Sequence, residues 1–306
     1  MTALQPLKKG DQVAIVSTAR KISHEEIQPA VSLLKSWGLT VVIGKTIGAE
    51  EHQFAGTDIL RTSDMQLMLD NPDIKAIWCA RGGYGTVRII DQLDFSTFKK
   101  HPKWIIGYSD ITVLHSHVLN LGFETLHAPM PIDIATQNSD SVTTFKHLLF
   151  GTPVHYSFSP HTHNRLGNAE GIIVGGNLSV LYSLCGSSSA IDTTNKLLFI
   201  EDLDEYLYHI DRMLYNLKRN GLFDNLKGLL VGGMSSMRDN TKAYGFSKDN
   251  PFGKSAVEIT REITADYSFP ICFDFPAGHT QNNHAFVLGK KMRLAVKKDR
   301  THLEAL

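Results

Sequence analysis

Residues 104–122 read WIIGYSDITVLHSHVLNLG. Trp104–Gly107 is an apolar run closed by glycine, and apolar residues at helical spacing resume after Asp110. A buried parallel strand hands over to a helix in this way. Ser109 stands at the handover. It can cap the helix, because a serine hydroxyl satisfies the orphan N–H groups of a first turn, or it can be a nucleophile presented at the carboxyl end of a strand. The same rhythm extends outward. Val13–Ser17, Thr40–Gly44 and Ile74–Ala80 read as strands. Ile27, Val31, Leu34 and Trp37 fall on one helical face, Thr57–Pro72 reads as a second helix, and Val87–Leu93 as a third. This alternation predicts an α/β protein whose N-terminal domain, residues 1–150, is a doubly wound, mostly parallel sheet. Ligands in such sheets bind at the carboxyl ends of the strands, where both Ser109 and the glycine loop Arg81–Gly85 fall.

The texture changes at residues 151–168, which are rich in Pro, His and Ser without apolar periodicity and read as an interdomain linker. Residues 169–306 offer short strands and one clear helix around Tyr208–Gly221. They predict a strand-rich α+β, barrel-like C-terminal domain that closes with a hairpin around Gly289–Met292.

A chain of 306 residues with 42% hydrophobic and 20% charged content is long enough for two globular domains. Its 31 basic and 31 acidic residues cancel, so the charge supports neither a nucleic-acid track nor an anionic membrane as partner. No apolar stretch has signal-peptide or membrane-span character, which predicts a cytoplasmic protein. Cys79, Cys185 and Cys272 are odd in number and lie in or beside apolar runs, as reduced thiols do. His115 with His117, and His161 with His163, are i,i+2 pairs that cannot share a helix face, so neither a metal nor another cofactor is expected.

An activated serine needs a base within hydrogen-bond reach and a third group that orients the base. His279 follows a strand in a turn opened by Pro276 and Gly278, and His284 in the same loop competes with it. Glu201 ends the apolar run Leu197–Ile200 and is the candidate orienting carboxylate. Asp202, Asp204 and Glu205 beside it also fit a solvated acidic edge. The loop ARGGYG, residues 80–85, can be a tight turn, a phosphate cradle or a set of N–H donors to an oxyanion. It lacks the lysine of a phosphate-binding loop and the spacing of a dinucleotide fingerprint. Residues 107–111 lack the second glycine of G-x-S-x-G, so an ordinary α/β-hydrolase elbow does not fit.

Five co-linear segments together resemble one family: ARGGYG, IGYSD at 106–110, GGNLSVL at 175–181, Glu201 with YHIDRML after it, and PAGH at 276–279. They are similar to the LD-carboxypeptidases of peptidoglycan recycling, serine peptidase family S66, which also includes microcin C self-immunity hydrolases. The resemblance implies Ser109 as nucleophile, Glu201 and His279 as its partners, and the N–H groups of Gly83 and Asp110 as oxyanion donors. It further implies Arg81, Gly82, Tyr84 and Asn177 as substrate-binding residues, a muropeptide substrate and a site between the two domains. A homodimer is compatible with it. Gly186-Ser187 departs from the family's usual Gly-Thr and leaves the triad untouched. Two rivals stay open: an immunity-type hydrolase of aminoacyl-nucleotides, with specificity in loops such as Met234–Phe252, and a non-catalytic binding module.

Overall fold

The computed structural model describes residues 1–239 and 251–306. The chain forms two compact units, one of residues 1–154 with 281–290, the other of residues 155–280 with 291–306. In the first, strands β1 (Gln12–Val16), β2 (Thr40–Ile43), β3 (Ile74–Cys79), β4 (Trp104–Gly107) and β5 (Thr125–His127) alternate with helices α1 (Gln28–Ser36), α2 (Asp58–Asp70), α3 (Ser96–Lys100), α4 (Thr112–Asn120) and α5 (Ser139–Leu149). The five strands are parallel in the spatial order β5-β4-β3-β1-β2. Wholly buried apolar strands such as Ile105 and Ile106 between two neighbours explain why the sequence shows continuous apolar runs rather than alternation. Trp37, Trp78 and Phe145 pack edge-on or tilted in the core, and the Trp78 indole donates to Pro129 O at 2.8 Å. Val87–Leu93, read as a helix, is instead two short 3-10 turns, Thr86–Arg88 and Ile90–Gln92.

The second unit is built on β6 (Tyr156–Phe158), β7 (Gly167–Asn177), β8 (Leu197–Leu203), β9 (Gly228–Ser235) and β10 (Ile271–Cys272), with helices α6 (Leu178–Leu184), α7 (Leu207–Arg219) and α8 (Ala256–Ile263). The chain then returns to the first unit, where β11 (Phe286–Leu288) pairs antiparallel with β5 as the sixth strand. It ends in the second unit with β12 (Lys291–Val296) and β13 (Thr301–Ala305). The second sheet is seven-stranded, in the order β10-β9-β8-β7-β12-β13-β6. Strands β7 to β10 pair in parallel and the rest antiparallel.

Three sequence expectations need correction. Among the described residues the second sheet is open rather than barrel-like, with β10 and β6 as its end strands, and β10 meets the chain after β6 only in an isolated bridge at Arg165. The stretch read as a linker carries β6, which pairs with β13, and Arg165, whose guanidinium donates to the carbonyls of Thr264, Tyr267 and Phe269. The hairpin expected around Gly289–Met292 does not form there. Phe286–Leu288 and Lys291–Val296 belong to different sheets, and the true hairpin is β12–β13.

Candidate active site

In the first unit, β3 and β4 are parallel neighbours, so the loops that leave their carboxyl ends lie side by side. Ser109 follows β4 and does not cap a helix. It is the first residue of a 3-10 turn, Ser109–Ile111, whose cap position is Tyr108 and which has no side-chain cap bond. Its φ is +62°, a left-handed conformation in which non-glycine residues are uncommon and which recurs at functional turns. A Cβ added to Gly82 would lie 3.2 Å from Ser109 Cβ and 3.3 Å from both Ser109 Oγ and Asp110 N. The β3 loop therefore presents bare backbone to the serine and to the N–H that follows it.

A buried polar network holds that loop. Asp110 Oδ2 accepts from Thr86 N at 2.9 Å, and the Thr86 hydroxyl meets that of Thr18 at 2.8 Å. Arg61, fully buried, donates to Thr18 O at 2.6 Å and Gly85 O at 2.9 Å. Burial pushes the Asp110 carboxyl up, against the Thr86 hydrogen bonds that pull it down. Behind the turn, His115 Nε2 donates to Gly107 O at 2.9 Å. Burial lowers its pKa to about 3, so the ring is neutral. Among the residues expected to bind substrate, Arg81 donates to Lys21 O at 3.1 Å and lies 3.8 Å from Glu26 Oε1. Tyr84 is exposed beside Phe54, and Gly83 lies under the Arg20 side chain.

In the second unit, Glu201 lies inside β8 and is fully buried, rather than at a solvated strand end. His279 Nδ1 is 2.7 Å from Glu201 Oε2, and the His279 backbone N–H donates to the same oxygen at 3.1 Å. Ser235 Oγ donates to His279 O at 2.7 Å and fixes the turn from the other side. Asn177 ends β7 in register with Glu201 and is buried. Its amide donates to Glu201 Oε1 at 3.2 Å and to Asp202 Oδ1 at 2.9 Å, so it serves the carboxylates from within the fold. His284 groups with the first unit, where burial lowers its pKa, whereas His279 stands on Glu201.

The structure thus brings Ser109, Asp110 and the glycine loop together, and separately Glu201, His279 and Asn177. Sequence reading missed Arg61, Thr86 and the buried Asp202. Each depends on a partner distant in sequence, and no local pattern announces it. Among the described residues no group of three or more His, Cys, Asp or Glu is placed to hold a metal ion, and no helix is long and apolar enough to cross a membrane. Of the specificity stretch Met234–Phe252, residues 240–250 lie outside the described residues.

A murein peptide carboxypeptidase, designated probable, from Bacillus subtilis is 42% identical over 98% of this chain and 93% of its own. The murein tetrapeptide carboxypeptidase of Pseudomonas aeruginosa is 27% identical over 91% of each chain. The crystal structure of a muramoyltetrapeptide carboxypeptidase from Oxalobacter formigenes superposes with a TM-score of 0.85 at 25% identity, covering 96% of this chain and 98% of that one. The microcin C7 self-immunity protein MccF of Escherichia coli is 25% identical over 94% of this chain and 92% of its own. Models of the LD-carboxypeptidase N-terminal and C-terminal domains match residues 13–128 and 170–294, and on that coverage the chain belongs to the LD-carboxypeptidase family, peptidase family S66.

Proposed function

We propose that this protein is a serine LD-carboxypeptidase that releases the terminal D-alanine of murein tetrapeptides, with Ser109, His279 and Glu201 acting as one triad. The observation that carries the reading is the 2.7 Å bond from His279 Nδ1 to a fully buried Glu201. It commits Nδ1 to the carboxylate and leaves Nε2 as the nitrogen that takes the serine proton. Ser109 Oγ bonds to the scissile carbonyl carbon, and the developing oxyanion is met by the N–H groups of Asp110 and Gly83. The C–N bond then breaks, the proton on Nε2 passes to the departing amine of D-alanine, and water, deprotonated by the same imidazole, releases the peptide acid. Glu201 stabilises the imidazolium in both half-reactions. Arg81, Gly82 and Tyr84 are proposed to line the peptide, and Asn177 to serve the site by holding the carboxylates.

A second reading rests on the similarity to MccF, in which the same residues would act on an aminoacyl-nucleotide. One assay separates the two. Release of free alanine is measured from synthetic tetrapeptides that differ only at the last centre, beside an aminoacyl-adenylate. Inverting that centre exchanges methyl and hydrogen, so the terminal carboxylate loses its donors or the methyl meets the wall, a misfit worth several kcal/mol at a polar site. Turnover of the D form alone is expected. Equal turnover of L and D forms removes the LD-carboxypeptidase reading, and turnover of the adenylate alone selects the immunity reading. Ser109→Ala, Glu201→Ala and His279→Ala are each expected to lower kcat by about a thousandfold or more, and double variants to lose little beyond that, since triad members act as a unit. Additive losses would disprove the triad.

A further inference from the structure

The residue after Glu201 is a second buried carboxylate that the triad itself does not use. Asp202 is 1% exposed. Its Oδ1 accepts from Asn177 Nδ2 and from Leu203 N, each at 2.9 Å, and its Oδ2 accepts from Ser179 N at 2.9 Å. All three partners are N–H donors, the set that suits an anion. Asn177 Nδ2 also donates to Glu201 Oε1, so its two hydrogens serve one carboxylate each. The amide cannot turn round, because its Oδ1 accepts from Ser179 Oγ at 2.8 Å and Val180 N at 3.2 Å, and a flip would set oxygen against two carboxylates. The start of α6 therefore clamps two adjacent acids of β8.

We propose that Asp202 is a positioning residue that, through Asn177, locks the Glu201 carboxylate on His279 and supplies a second buried negative charge behind the imidazolium formed in catalysis. The inference deepens the triad reading and rests on it. Burial and the neighbouring Glu201 charge push the Asp202 pKa up to about 7, so the negative charge is the prevailing form only above that pH, against which its three N–H donors hold it. The titratable groups that face it are Glu201 on its own strand and Glu205 beyond the strand's end, itself paired with His209 of α7 at 2.6 Å. The flanking β7, α6 and β9 place Asn177, Ser179 and Met234 beside it, all uncharged.

The test is Asp202→Asn, which keeps the shape and removes the charge. With loss of a nearby negative charge, the imidazole midpoint of His279, followed by NMR, is expected to fall by roughly half a pH unit or more. The acid limb of kcat/KM should move the same way, and kcat should drop about ten- to a hundredfold with KM little changed. A folded variant whose His279 midpoint stays in place overturns the proposal. Should Asp202→Asn fail to fold, Asp202→Ser gives the same comparison with a neutral acceptor for Asn177. The NMR titrations are independent of turnover. If Ser109→Ala keeps full activity the triad reading fails, while the His279 midpoint still reports on Asp202.

Discussion

At Gly278 the chain passes so close to Glu201 that an added Cβ would lie 2.7 Å from both the Cβ and the Oε2 of that residue, and φ there is +104°. Gly278→Ala therefore strains the backbone and pushes the carboxylate off His279 at once. We expect a stability loss of about 1–3 kcal/mol and a drop in kcat of at least tenfold, measured by urea denaturation and alanine release. Gly82→Ala is milder for the fold, since its methyl would lie 3.2–3.3 Å from Ser109 and Asp110 N at an ordinary backbone angle. It should lower kcat while leaving Tm within a few degrees. A Tm loss as large as that of Gly278→Ala would show that the loop is structural rather than fitted to the serine. Ser109, Glu201 and His279 were open to nomination for the proposed triad because each stands at a break between an apolar run and polar residues. Asp202 was not, because EDLDE looks like a wet edge until the start of α6, some 24 residues earlier in the chain, is seen to cover it.

At the scale of elements, β4 was readable to the residue, since it is the apolar run itself, whereas the helix expected to start at Ser109 begins at Thr112, after a 3-10 turn. The 3-10 turns after the glycine loop were not readable, because their apolar residues match a helical period for less than two full turns. The β4–α4 unit carries its own acid sensitivity. His115 binds no proton in the folded state until about pH 3, whereas its unfolded form does so from about 6.5. Between those values the unfolded state holds more protons, so stability rises with pH and is lost on acidification. All three tryptophans, Trp37, Trp78 and Trp104, lie in the first unit, and their fluorescence reports its unfolding alone. The urea midpoint read this way is expected to fall more steeply between pH 6.5 and 4 in the wild type than in His115→Gln, which keeps a donor for Gly107 O. Parallel curves would contradict a neutral buried imidazole. The raised Asp110 carboxyl acts with the opposite sign in the same unit, and the difference between the two proteins cancels it.

For the whole molecule, the change of texture near residue 151 falls close to the first change of unit at 154/155, but the path of the chain was not legible, because pairing of β11 with β5 is non-local. Ala285, Phe286 and Leu288 are fully buried, Phe286 stacks on His127 at 4.6 Å, and Ala285 N donates to Thr144 Oγ1 at 3.0 Å. Residues 1–154 alone would leave the β5 edge unpaired and this cluster open, a recipe for edge-to-edge association. The fragment is expected to aggregate, whereas the same fragment joined by a short Gly/Ser linker to residues 281–290 should be soluble with native tryptophan emission. Equal behaviour of the two would deny β11 its role.

The same excursion bears on inheritance. The chain changes unit at 154/155, 280/281 and 290/291, so residues 155–280 form an insert between α5 and β11 of the first unit. A single recombination event between two relatives within that insert hands β5 and β11 to different parents, which must then fit a buried interface they did not evolve together. Exchange of the insert without breaking this pairing takes two crossovers, one at each end, and sets β6 and β7 of one parent against β13 and β12 of the other. The segment bearing Glu201, Asp202 and His279 can then pass between lineages as a block, while the strand that follows stays with the sheet that holds the serine.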